Sequence, residues 1–178
     1  MFIFLVIFLT IIVIVPAVFL YSLLVGLFFY APWVPLNRKE VERILNLAEI
    51  QPNDILYDLG SGDGRVIIAA AKKYKIKTIG IEIAWPLVFW SRLKIKFNKL
   101  SHLAEVRFGN LYQTDLSQAT IVVFYLLPAA VEKLIPKLKK ELKPGTKIIS
   151  AAFKINNWPE LKIDRPTAKD MPIYLYKL

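Results

Sequence analysis

Tyr57-Asp58-Leu59-Gly60-Ser61-Gly62-Asp63-Gly64-Arg65 follows directly on the strand-like run Asp54-Ile55-Leu56. Glycines at every second position behind an apolar strand mark a backbone that turns tightly beneath a bound nucleotide. Counted from Gly60, the dinucleotide fingerprint G-x-G-x-x-G/A puts Arg65 where its third glycine belongs, which argues against NAD or FAD. No Gly-Lys-Ser/Thr follows, so the turn is not a P-loop. Two acids remain: Asp58 just ahead of the turn, and Glu82 at the end of the next strand-like run, Thr78–Ile83.

The two acids have a physical meaning. Small glycines let the backbone approach an amino-acid and ribose moiety without wrapping a pyrophosphate. A carboxylate ending the second strand can take both ribose hydroxyls. Asp58 can accept from a ligand ammonium, directly or through water. A ligand with a ribose, an amino acid and no phosphate is S-adenosylmethionine.

On either side of the turn, strands and helices alternate. Asn37 and Glu40 read as a capping box that opens a helix to about Ala48, with Val41, Ile44 and Leu45 at helical spacing. Ile55–Leu59 is a buried strand and Val66–Tyr74 a helix. Pro86 opens another helix, with Phe89, Leu93, Phe97 and Leu100 on one stripe and Arg92, Lys96 and Lys99 off it. Further strands are expected at Glu105–Phe108, Ile121–Leu126 and Lys147–Phe153, with a helix from Pro128 that ends at Pro144-Gly145. Leu161–Asp164 and Ile173–Lys177 close the sheet as an antiparallel pair, since no helix-length connection separates them. The fold class is therefore α/β: a Rossmann-like, doubly wound, mostly parallel sheet.

Composition divides the chain in two. No Asp, Glu, Lys, Arg or His occurs before Arg38, so all 24 basic and 14 acidic residues lie in the rest of the chain and sum to +10. The apolar leader Phe2–Tyr30 has the length of a bilayer-spanning helix and lacks the basic n-region and small-residue cleavage site of a signal peptide. It predicts a transmembrane anchor over 1–30 and a catalytic domain over 31–178. Tyr30 and Trp33 suit an interfacial belt; Arg38, Lys39 and Arg43 put the domain on the cytoplasmic side of a single-pass protein. With no cysteine and one histidine, His102, neither a disulfide nor a metal centre is expected.

The run from Tyr57 to Arg65 resembles motif I of the class I S-adenosylmethionine-dependent methyltransferases, and Ile79–Ile83 resembles their second motif. From Ala31 to Trp158 the chain is similar to the membrane-anchored protein-lysine methyltransferases of the ATP synthase c-subunit and adenine nucleotide translocase group. The similarity runs through Ala31-Pro-Trp-Val-Pro35, Tyr57–Ala71, Ile81-Glu82 and Ser91-Arg92. It departs at Ala84-Trp85-Pro86, where the group shows Asn-Pro-Trp, at Leu36-Asn37, and at Asn110, where the group carries Asp. The resemblance implies that Asp58, Gly60, Ser61, Gly62, Asp63, Gly64, Glu82, Ile83, Asn110 and Leu111 hold S-adenosylmethionine. Asn110 would meet the adenine amino group through its carbonyl.

Methyl transfer from a sulfonium needs an aligned nucleophile more than an acid-base set. A lysine acceptor must first lose a proton from a group of pKa about 10.4, at roughly 4–5 kcal/mol at neutral pH. Burial in an aromatic channel beside a cation lowers that cost. Tyr125, ending the fourth strand, is the candidate catalytic residue bordering such a channel; Trp33, Trp85 and Pro128 are candidate substrate contacts. Phe124-Tyr-Leu-Leu-Pro128 lacks the Asn/Asp-Pro-Pro-Tyr/Phe of enzymes that methylate base amines, so no nucleic-acid partner is expected. The function expected is lysine methylation on a membrane-associated protein. The alternatives are a lipid, quinone or other small amphiphile as acceptor, and a cofactor-binding module without turnover.

Overall fold

The computed structural model describes residues 34–178, with Phe4, residues 8–10 and 12–14, Pro16, Ala17 and Leu20 of the leader. Among the described residues seven strands are formed: β1 (Ile55–Leu59), β2 (Lys77–Glu82), β3 (Ala104–Phe108), β4 (Ile121–Phe124), β5 (Lys147–Ala151), β6 (Lys162–Asp164) and β7 (Ile173–Lys177). They make one sheet in the order β3-β2-β1-β4-β5-β7-β6. The first five strands are parallel; β7 runs antiparallel to both β5 and β6. The expected Rossmann-like sheet with its closing antiparallel strand is thus present. The chain runs outward from β1 to β3, then returns to the other side of β1 as β4. That reversal opens a crevice beyond the carboxyl ends of β1 and β4, where such sheets bind ligands.

Four helices follow the leader: α1 (Arg38–Leu47), α2 (Arg65–Tyr74), α3 (Trp85–Phe97) and α4 (Pro128–Glu141). The expected capping box is formed: Glu40 N–H donates to Asn37 Oδ1 at 2.9 Å, and Asn37 N–H to Glu40 Oε2 at 2.7 Å. Alternation along the strands divides the core. Leu56 faces α1, α2 and α3, together with Ile44, Ile67 and Val88. Tyr57 and Leu59 face α4, with Val131, Leu134 and Leu138.

Two strands end earlier than their hydrophobic runs suggest. β4 stops at Phe124 and β5 at Ala151, because Leu127 caps α4 and Ala152 takes a left-handed φ of 66°. Tyr125 and Leu126 consequently leave the sheet at its crevice end.

The aromatic stripe of α3 does not face the core. Phe89 and Phe97 are 59% and 76% exposed, whereas Val88, Ser91 and Ile95 are buried. Phe89 and Phe97 of the stripe point outward, while Leu100, just beyond the end of the helix, is buried in the core. On the inward face Ser91 lies against the glycine turn, and Val88 and Ile95 enter the core.

The anchor is corrected. Among the described residues no helix is long and apolar enough to cross a membrane. The longest of the four helices, α4, has 14 residues, about 21 Å at 1.5 Å per residue against a hydrocarbon core of about 30 Å. The expectation of a single-pass protein with a cytoplasmic domain rests on the leader's apolar composition, and it is withdrawn with the anchor. Tyr30 and Trp33 lie outside the described residues.

Arg43 fastens α1 to the far edge of the sheet. Its Nε meets Asp164 Oδ2 at 2.6 Å, and one guanidinium nitrogen donates to the carbonyls of Asp164 and Met171. Arg43→Ala leaves these acceptors without a donor, so urea denaturation should show a loss of about 1.5–3 kcal/mol, the range for hydrogen bonds to a charged group.

Candidate active site

The turn after β1 owes its shape to three left-handed glycines, Gly60, Gly62 and Gly64, with φ of 81°, 54° and 77°. Gly60 and Ser61 N–H both donate to the Ile81 carbonyl, at 2.9 and 3.0 Å, stitching the turn to the end of β2. Close approach accounts for Gly64 and for Gly80 on β2. A Cβ on Gly64 would lie 3.0 Å from Ser91 Oγ, and one on Gly80 would lie 2.5 Å from Ser61 Oγ. Ser91, fully buried on α3, donates to the Gly62 carbonyl at 2.9 Å.

Glu82 sits at the centre of this arrangement. Its Oε2 accepts from Gly62 N–H at 2.8 Å, and its Oε1 accepts from Ile83 and Ala84 N–H at 2.9 and 2.8 Å. Burial pushes the carboxyl above its ordinary range, and the three backbone donors act against that push. A carboxylate offers about four acceptor positions. With three taken by the chain, one is left for a ligand hydroxyl, so Glu82 joins turn, strand and ligand rather than serving a ribose alone.

Asp58 differs. It is buried, and no side-chain hydrogen bond reaches it among the described residues. Desolvation, then the charges of Glu82 and Asp63, push its carboxyl up to about 8. A buried acid facing two others is a place for a cation.

Asp63 is already spoken for. Arg65 grips it with two nitrogens at 2.8 Å each, and Lys94 Nζ reaches it at 2.8 Å. Burial raises the Asp63 carboxyl, but these bonds and charges outweigh it and hold the group below its usual value. Arg65 also donates to the Leu36 carbonyl, so one side chain ties the turn to the segment leading into α1. In the sequence Arg65 is visible only as a missing glycine, and its clamp has no local signal. Ser91 and Lys94 escape sequence reasoning as contacts of the turn for the same reason: nothing in their spacing marks what lies opposite.

Asn110 caps its own turn, its side-chain oxygen accepting from Tyr112 N–H at 2.9 Å. With that carbonyl partly engaged, its amide nitrogen is the free polar group.

These residues line one cavity at the crevice. Asp58, Gly60, Ser61, Gly62, Asp63, Glu82, Ile83, Asn110, Leu111 and Tyr125 all border it, joined by Val34, Pro35, Arg65 and Tyr112. Tyr125 stacks on Phe153 with ring centroids 6.5 Å apart. Gly64, Trp85 and Pro128 do not border the cavity, and Trp33 lies outside the described residues. Trp85 is half exposed, set edge-on to Phe108 at 5.8 Å. Among the described residues no cluster of His, Cys, Asp and Glu could hold a metal ion.

The cavity suits S-adenosylmethionine in its chemistry. It offers an unpartnered buried acid for a cation and a second acid with one acceptor position left. Ser61 Oγ is fully enclosed, has no hydrogen bond, and lines the same cavity. The glycine turn lets backbone come close where a Cβ would not fit.

A raised folded-state pKa means that the folded state binds protons more tightly than the unfolded one. The free protein should therefore lose stability as pH rises from about 4, the ordinary Asp value, to about 8. Asp58→Asn removes that slope. At pH 8 it should stabilise the free protein by more than about 1.4 kcal/mol, the worth of one pKa unit, while weakening cofactor binding. Thermal denaturation at pH 5 and pH 8, with calorimetric titration of cofactor, checks both effects.

The chain is similar to known methyltransferases. The family model for the ANTKMT methyltransferase domain matches residues 58–162. A protein-lysine N-methyltransferase of Saccharolobus islandicus is 39% identical over 83% of this chain and 93% of its own length. The human lysine N-methyltransferase of the ATP synthase c-subunit is 31% identical over 71% of this chain, which spans 54% of that enzyme. A solved structure from Salinibacter ruber, described as an RNA methyltransferase in complex with S-adenosyl-L-homocysteine, superposes with a TM-score of 0.78. It is 38% identical and covers 81% of this chain and 93% of that one. The chain belongs to the ANTKMT methyltransferase domain family and is a class I S-adenosylmethionine-dependent methyltransferase.

Proposed function

We propose that the enzyme methylates a lysine side chain of a membrane-associated protein, with residues 31–178 as its catalytic domain. The observation that carries the acceptor type is the similarity over nearly the whole domain to a protein-lysine N-methyltransferase. The membrane-associated acceptor is supported by relatives named for the ATP synthase c-subunit and adenine nucleotide translocase. This chain spans only about half the length of those enzymes.

In this reading Asp58 receives the cofactor's ammonium and Glu82 a ribose hydroxyl. Ser61 and the glycine turn lie against the amino-acid portion, while Asn110 and Leu111 meet the adenine. S-adenosylmethionine, when bound, supplies a methyl group on a cationic sulfur that a neutral amine can displace. The chain's own part is positioning and desolvation. Tyr125, stacked on Phe153, borders the acceptor's approach and excludes water from it. The described lining holds no histidine, so the acceptor's proton leaves through desolvation and water rather than to a dedicated imidazole base.

An RNA acceptor is the second reading, favoured by the likeness to the Salinibacter RNA methyltransferase and by the net charge of +10. Incubation with radiolabelled cofactor, source membranes and total RNA separates the two. The label should enter protein and hydrolyse to methyl-lysine. Label confined to RNA or to the organic extract would overturn the lysine assignment.

A further inference from the structure

The outward face of α3 has no partner among the described residues. Phe89, Trp90 and Phe97 are each more than half exposed, with Leu93 partly exposed between them. At 100° per residue these four side chains fall within one stripe about 100° wide, opposite Val88, Ser91 and Ile95. Trp85 and the exposed Phe108 extend the apolar surface toward the cavity, which Ala84 and Leu87 border at the start of the same helix. An aromatic face this continuous is what a globular domain ordinarily buries or uses for contact.

The charges around it select the partner. From Ile83 to Ala104 there is no acidic residue, whereas Arg92, Lys94, Lys96 and Lys99 fall in that span. Lys94 is taken up by Asp63, and Arg92 donates to the Val106 carbonyl while its guanidinium lies 5.9 Å from the Trp85 ring. Lys96 on the helix and Lys99 just beyond its end are exposed and form no ion pair among the described residues. Aromatic and aliphatic side chains on one face, rimmed by unpaired lysines, suit an anionic lipid surface. There the rings enter the headgroup boundary and the ammonium groups meet phosphate. A single-stranded nucleic acid would also meet cations and rings, but it would leave the aliphatic parts of the stripe without an apolar partner.

We propose that α3, with Trp85 and Phe108, docks the domain flat on an anionic bilayer surface. The contact lies in the plane of the interface and uses no membrane-spanning helix. It brings the cavity mouth beside the lipid, and it stands independently of which acceptor is methylated.

The full chain contains no cysteine, so a single Phe89→Cys variant can carry an environment-sensitive fluorophore on the stripe. Lys162→Cys, exposed on β6 at the far edge of the sheet, carries the same probe as a control. With vesicles of phosphatidylglycerol and phosphatidylcholine, the probe at position 89 should brighten at least about twofold and shift to the blue. The probe at position 162 should not change. Adding K96Q and K99Q to the Phe89→Cys chain should weaken that response roughly thirtyfold in vesicle affinity. Vesicles that pellet the protein without altering the probe at 89 would overturn the proposal, because another segment would then make the contact. A response to single-stranded RNA but not to vesicles would overturn it in favour of nucleic acid. A response that grows with protein concentration alone would overturn it in favour of a second copy of the chain.

Discussion

Everything in the cavity depends on one carboxylate gathering three backbone N–H groups. Glu82 closes β2, holds the middle of the glycine turn through Gly62, and fixes the start of the next connection through Ile83 and Ala84. Burying an acid is unfavourable unless hydrogen bonds compensate, and these three donors offset part of that burial. The turn therefore cannot keep its shape without the acid, nor the acid its burial without the turn. Around that pair, Ser91 presses on the turn from α3, and Arg65 with Lys94 secures it through Asp63. Two acids are shaped in opposite ways. Asp63 is held ionised by its partners, while Asp58 is pushed toward its neutral form until a cation arrives.

Much of this is legible in the chain because local signals agree. The glycine spacing, the acids at Asp58 and Glu82 and the Asn37–Glu40 box each need only a few neighbouring residues to be understood. The strands Ile55–Leu59 and Ile173–Lys177 have the limits of their apolar runs. Contacts across the fold are harder to read. Arg65 counts against a dinucleotide, but its grip on Asp63 and the Leu36 carbonyl depends on α3 and the segment before α1 lying close by. The Asn110 carbonyl, expected to meet adenine, is partly engaged in capping its own turn.

The outward stripe of α3 and the corrected anchor have a common lesson. Hydrophobic periodicity says that a helix has an apolar side; it does not say which way that side faces. In α3 Ser91 sits against Gly62 and Gly64 while Val88 and Ile95 enter the core, so Phe89 and Phe97 face outward. In the leader, apolar composition over about thirty residues suggests a spanning helix. Composition sets a necessary condition for crossing a bilayer, but crossing also requires a continuous helix of sufficient length, and none is present among the described residues. Apolar surface outside the core reports a contact to be identified; its geometry decides the kind of contact.

That Glu82 builds the turn is tested most directly by amide hydrogen exchange on the Glu82→Ala protein. Exchange at Gly62, Ile83 and Ala84 should speed up together, while Leu56 and Val122 in the central strands keep their protection. Unchanged protection at Gly62 and its two companions would contradict this role, because the turn would then hold its shape without the acid.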